Sequence, residues 1–176
     1  MNIPCEVVES QADSEWLWVA YPHELTHYFL LQEFPDPPRW FIEGPASFFG
    51  NKVSAQLHRE KIAEEDRQKI LDWGKKYSEA GYDYLFQQAW PKDGPEGNLS
   101  EMGSYGMGRA YELCMKLEAL CGEGFFRNVF HYMHENGVTF RDSKTQAARN
   151  EILIGAMQTQ TDKDLWAFFA AEGFKY

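Results

Sequence analysis

The chain has 176 residues and a mass of 20.5 kDa, with 44% apolar and 16% aromatic side chains; this suffices for one domain with a sizeable core that needs no disulfide or metal to fold. That composition excludes disordered, collagen-like and low-complexity classes. Seventeen basic against 27 acidic residues leave a net charge of −10, whose field repels phosphate backbones and anionic headgroups and argues against a nucleic-acid partner.

The first twenty residues hold two β-type runs, Cys5–Glu9 and Glu15–Ala20, separated by the polar stretch Ser10–Ser14. Together they predict a small N-terminal hairpin. Glu6 and Glu9 and the lack of a basic-then-apolar plan argue against a signal peptide, and no apolar run approaches the ~18 residues of a membrane span. A soluble, cytoplasmic chain with no membrane span is expected. From Pro22, suited to a first helical turn, His23, His27, Leu30 and Phe34 share a face at helical spacing up to the breaker Asp36-Pro37-Pro38.

A second helix is predicted from Arg39 toward Leu57, bent at Gly44-Pro45, and a charged amphipathic third over about Glu60–Glu79. The Pro- and Gly-rich stretch Pro91–Gly103 reads as a loop. Helical periodicity resumes near Tyr105 and stops at Gly122, then runs from Glu123 to Asn136-Gly137, over about Ser143–Gln158, and over Asp162–Glu172, closed by Gly173. The expected fold class is mainly α with a small N-terminal β-hairpin (α+β), in one domain spanning residues 1–176. Cys114 and Cys121, two helical turns apart, are too distant to bridge along one straight helix, so reduced thiols are expected.

The chemistry concentrates in His23-Glu24-Leu25-Thr26-His27, an HExxH pentad. On a helix its imidazoles stand one turn apart, about 5–6 Å between Cβ atoms, which suits two ligands on one metal ion with Glu24 beside the open side. Two satisfied core histidines are the plainer alternative, since Leu30 and Phe34 share the face. Sixteen residues past His27 stands Glu43, in Arg39-Trp40-Phe41-Ile42-Glu43-Gly44-Pro45-Ala46. Two histidines and one carboxylate leave a fourth zinc position for water, the arrangement of catalytic zinc. Ala46, Ser47 and Gly50 follow Glu43 on the same helix, and such small residues let its backbone approach the HExxH helix. His58, His131 and His134 have no such accompaniment and read as surface or core residues. Arg109 reads as a salt-bridged arginine, with a substrate-carboxylate anchor as the alternative, and Cys5 as an ordinary thiol, with shielding of the metal as the alternative.

HELTH followed by RWFIEGPA resembles the gluzincin metallopeptidases, most closely the aminopeptidase N type and its peptidase-MA-like relatives, whose third ligand lies in a Trp-x-x-Glu-Gly-x-Ala segment. Gly103-Ser104-Tyr105-Gly106-Met107-Gly108 resembles the family's Tyr-x-Lys-Gly element, 62 positions past Glu43 at Tyr105. The resemblance implies a helical catalytic lobe, a Zn²⁺ ion held by His23, His27 and Glu43, Glu24 as general base, and Tyr105 as donor to the oxyanion, in a zinc-dependent peptidase with a peptide or protein substrate. The chain departs from the family at Ile42, Pro45 and Met107, in the short His27–Glu43 interval, and in having no Gly-x-Met-Glu-Asn segment upstream of the pentad. Aminopeptidase specificity is therefore not carried over. The alternative function is a catalytically inactive gluzincin-like scaffold serving as a protein-interaction module.

Overall fold

The structure is a computed structural model that describes residues 15–79 and 99–174, with side chains from 17 and from 106 onward in the two stretches. Seven helices and no strand occur among the described residues: α1 (Glu15–Glu33), α2 (Arg39–Gln56), α3 (Glu60–Glu79), α4 (Leu99–Cys121), α5 (Phe125–Glu135), α6 (Gln146–Gln158) and α7 (Leu165–Ala171). The fold class is mainly α, and the expected α+β class is overturned. The run Glu15–Ala20, read as the second strand of the hairpin, is the first turn and a half of α1, and Cys5–Glu9 lies outside the described residues. Trp16-Leu17-Trp18-Val19 has the composition of a strand, but a short apolar run also fits a helix packed on several neighbours. Tertiary contacts decided it: Val19 and Ala20 face α3, and the Trp18 ring carries the Arg59 guanidinium 4.6 Å from its centroid.

Pro22 consequently sits inside α1 and not in its first turn. A proline there cannot donate to the carbonyl four residues back, which is Trp18. The Ser54 hydroxyl, arriving from α2, donates to that carbonyl oxygen and shares its proton with the Gly50 carbonyl at 2.9 Å. An interior proline thus stays in the helix because a neighbouring helix satisfies the group it orphans.

α2 is the central element, packing on α1, α3 and α4, and it is buried on almost all sides through Trp40, Phe41, Gly44 to Phe48, Gly50, Asn51 and Ser54. Small residues set its distances: a Cβ on Gly44 would meet the Ala110 carbonyl oxygen of α4 at 2.7 Å, and one on Gly50 would meet the His23 backbone nitrogen at 3.0 Å. α1 and α2 are joined by a short turn in which Asp36 takes a left-handed φ of 60°. His27 pairs with Glu43, His23 with Ser47 and Gly50, and Trp18 with Ser54, so the two helices run antiparallel.

α4 begins at Leu99, inside the stretch Pro91–Gly103 read as a loop; the remainder of that stretch, residues 91–98, is outside the described residues. α5 offers Phe125, Phe126, Val129 and Met133 to the core, and with Trp40, Phe41, Phe48, Phe169 and Phe174 these form one aromatic-rich cluster. The Asp164 side chain caps α7 by accepting from the Ala167 N–H at 2.9 Å, and Gly173, at φ 90°, ends it in a conformation that L side chains rarely adopt. Cys114 is buried and Cys121 partly so, both on α4 and both free of a disulfide. No described helix is long and apolar enough to cross a membrane.

Candidate metal centre

α1 presents His23 and His27 toward α2, and the antiparallel return of the chain brings Glu43, one turn into α2, opposite them. The Nε2 atoms of the two rings are 2.9 Å apart, and Glu43 Oε2 lies 3.4 Å from His27 Nε2 and 3.8 Å from His23 Nε2. Donors about 2.0–2.2 Å from a tetrahedral zinc stand about 3.3–3.6 Å from one another, so the three separations bracket the spacing such an ion needs. Among the described residues this is the single group of three or more His, Cys, Asp or Glu side chains close enough to hold a metal ion. The short His27–Glu43 interval suffices because His27 is under two turns from the end of α1.

The packing around the triad fixes it. The missing side chain of Gly50 admits the His23 backbone, and Ser47, four residues past Glu43, reaches His23 Nδ1 at 3.3 Å. With Nε2 as the ligand atom the ring proton sits on Nδ1 and is donated to Ser47 Oγ, which sets both tautomer and ring orientation. Thr26 donates to the Pro22 carbonyl at 2.9 Å, bracing the same turn. His27 Nδ1 is buried and has no hydrogen-bond partner among the described residues.

The electrostatics favour a neutral His23 and an ionised Glu43. Burial, and then the neighbouring His27, push the pKa of His23 down from its ordinary value, against the opposite pull of Glu43 and Glu24. Burial would raise the pKa of Glu43, but its hydrogen bond to His27 and the charges of His27, His23 and Arg39 outweigh this and hold it below the usual carboxylate range. These are the protonation states in which His23 and Glu43 can act as ligands.

Two clefts open beside the triad. The larger, about 800 Å³, is lined by Glu24, His27 and Glu43 together with Tyr28, Leu31, Ile42, Arg39 and Arg149. The smaller, about 400 Å³, holds His23, Glu24, Ser47, Asp66 and Met107. Glu24 alone of the acidic side chains lines both, so it borders the open space on either flank of the histidines.

The other residues singled out in the sequence fall elsewhere. Tyr105 is on α4, two residues before Met107, but its side chain is outside the described residues, as is Cys5. Arg109 is held by Glu112 at 3.0 Å and by Glu172 at 2.7 Å. His58 is on the surface 3.7 Å from Glu60, His131 pairs with Glu135 at 3.1 Å, and His134 joins Glu33 of α1 at 2.8 Å. Sequence reasoning took Ser47 for a spacer and passed over Arg149 altogether; Ser47, at i+4 from Glu43, carried a signal, whereas nothing local marks an arginine more than a hundred residues away. No protein-family model, no curated protein and no solved structure matches this chain.

Proposed function

We propose that the protein is a zinc-dependent peptidase, with His23, His27 and Glu43 as metal ligands and Glu24 as general base. The observation that carries this reading is the convergence of two imidazole nitrogens and one carboxylate oxygen, from two helices, at separations that suit a tetrahedral ion. A zinc ion held there supplies Lewis acidity toward a carbonyl oxygen and acidifies water. The chain's own groups do the rest. Glu24, next in sequence to one ligand and facing both clefts, takes the proton of the attacking water and delivers it to the leaving amine. Ser47 keeps His23 in the tautomer that leaves Nε2 free, and the apolar wall of Tyr28, Leu31 and Ile42 offers a seat for a substrate side chain. The resemblance adds Tyr105 as the oxyanion donor.

One observation favours a second reading, a metal-binding scaffold without turnover: no strand occurs among the described residues, so none offers an edge against which an extended peptide could be held. Metal analysis followed by assay of a mixed peptide library separates the two. The peptidase reading expects near-stoichiometric zinc and cleavage that falls at least 100-fold in Glu24→Gln with zinc retained. Zinc without cleavage leaves the scaffold, and no zinc on titration sinks the peptidase and favours a metal-free scaffold.

A further inference from the structure

Once the triad is set aside, the larger cleft still contains a feature that neither zinc binding nor water activation uses. Arg149 of α6 lines it. α6 grips the first turn of α2 through two side chains one turn apart: Gln146 Oε1 accepts from the Arg39 backbone N–H at 3.2 Å, and Asn150 Oδ1 accepts from the Trp40 indole N–H at 3.0 Å. Arg149 sits between those two anchors. Its Nε–H donates to the Ser143 carbonyl at 3.2 Å, which pins the base of the guanidinium and leaves the Nη donors for the cleft that the residue lines. Among the described residues no carboxylate stands within ion-pair distance of it, in contrast to Arg109, Lys116, Lys52 and Arg67, each of which has one.

We propose that Arg149 holds a carboxylate of the peptide substrate, so that the cleft selects peptides with a free carboxyl group close to the bond cut. The proposal rests on the peptidase reading for the bond, but the recognition is a property of the cleft itself. A guanidinium presents paired N–H donors that match a carboxylate, and a rigid, partly buried one loses little entropy on binding. The lining brings the needed groups together: Glu24, His27 and Glu43 share the cleft with Arg149 and with Tyr28, Leu31 and Ile42, which can receive an apolar side chain; Arg39 and Asp36 also line it. The lining carries three carboxylates, Glu24, Asp36 and Glu43, against two arginines, so selection of an anion falls to the paired N–H donors of Arg149 and not to the net charge of the cleft. The carboxylate can come from the C-terminus or from an acidic side chain, and both present the same chemistry.

The test is binding measured by calorimetry on the full chain, metal-free so that no ion competes for the carboxylate, with three probes: acetyl-Ala-Phe with a free C-terminus, its C-terminal amide, and acetyl-Glu-Phe amide. The free acid is expected to bind about tenfold more tightly than its amide, with the preference lost in Arg149→Gln and partly kept in Arg149→Lys. If acetyl-Glu-Phe amide recovers the affinity, the carboxylate is a side chain's; if not, it is the terminal one. Equal affinity for all three probes, or a preference untouched by Arg149→Gln in a variant whose melting temperature is unchanged, overturns the proposal. Zinc-loaded protein that keeps the preference yet cleaves nothing would remove the peptidase reading and leave the carboxylate site standing.

Discussion

Two of the polar clusters among the described residues are built differently. Where α4 meets the end of α7, Arg109 and Lys116 meet Glu112 and Glu172 at 2.7–3.1 Å, two cations against two carboxylates. Every charge there has its counterpart. Between α1 and α2, two imidazoles and a carboxylate point their ligand atoms at a common centre, at 2.9–3.8 Å, and His27 Nδ1 is buried without a partner among the described residues. The first cluster closes on itself and so is explained by the fold; the second brings three atoms together that could hold a metal ion.

The contrast can be broken by measurement, and zinc gives the largest expected effect. Titrated to about a thousandfold above its dissociation constant, the ion stabilises the folded state by about 4 kcal/mol, visible as a higher melting temperature; His27→Ala abolishes that gain. A gain that persists in His27→Ala would place the ion elsewhere. Glu172→Gln, by contrast, weakens the partners of two cations and is expected to cost about 2 kcal/mol in denaturant unfolding while zinc affinity stays the same. Arg109 and Glu172 are only 12% and 15% exposed, which is why the loss exceeds that of an ordinary surface pair.

Gly50→Ala sharpens the comparison from the packing side. Its Cβ would meet the His23 backbone nitrogen at 3.0 Å, so α1 must shift, at a cost of about 1–2 kcal/mol together with weaker zinc binding. Unchanged zinc affinity in a folded Gly50→Ala protein would show that α1 has slack. The smallest effect is in pH. The pKa of His23 is lower in the folded protein than the ordinary 6.5, so between those two values the unfolded chain binds more protons, and metal-free stability falls as pH drops below 6.5. Glu43 and Glu112, both depressed from 4.5, add losses only below 4.5. Melting curves at pH 7 and pH 5 should therefore differ less in His23→Gln than in the native chain.

Much of this was legible in the sequence, unevenly. α2 and α3 were readable almost to the residue, because Pro38 fixes one start and strong amphipathic spacing marks the other helix. The pentad and Glu43 could be grouped because metal ligation imposes residue types and spacings that survive without coordinates. The hairpin was a misreading with a definite cause: a four-residue apolar run has no period long enough to separate strand from helix, and the proline after it looked like a helix start. That Pro22 belongs in mid-helix depends on Ser54, 32 positions on, reaching the Trp18 carbonyl.

What the sequence determined by itself is local: helical periods, the breaker at Asp36-Pro37-Pro38, the glycine ends, and a pair of histidines one turn apart. The tertiary structure alone decided which way the histidine rings face, through Ser47 and Gly50, and brought Arg149 into the same cleft as Glu43 by clamping α6 onto the first turn of α2. The physical reason is range. Backbone preferences act over a few residues, whereas the direction of a side chain is fixed by whatever packs against it, however far away in the chain that residue lies.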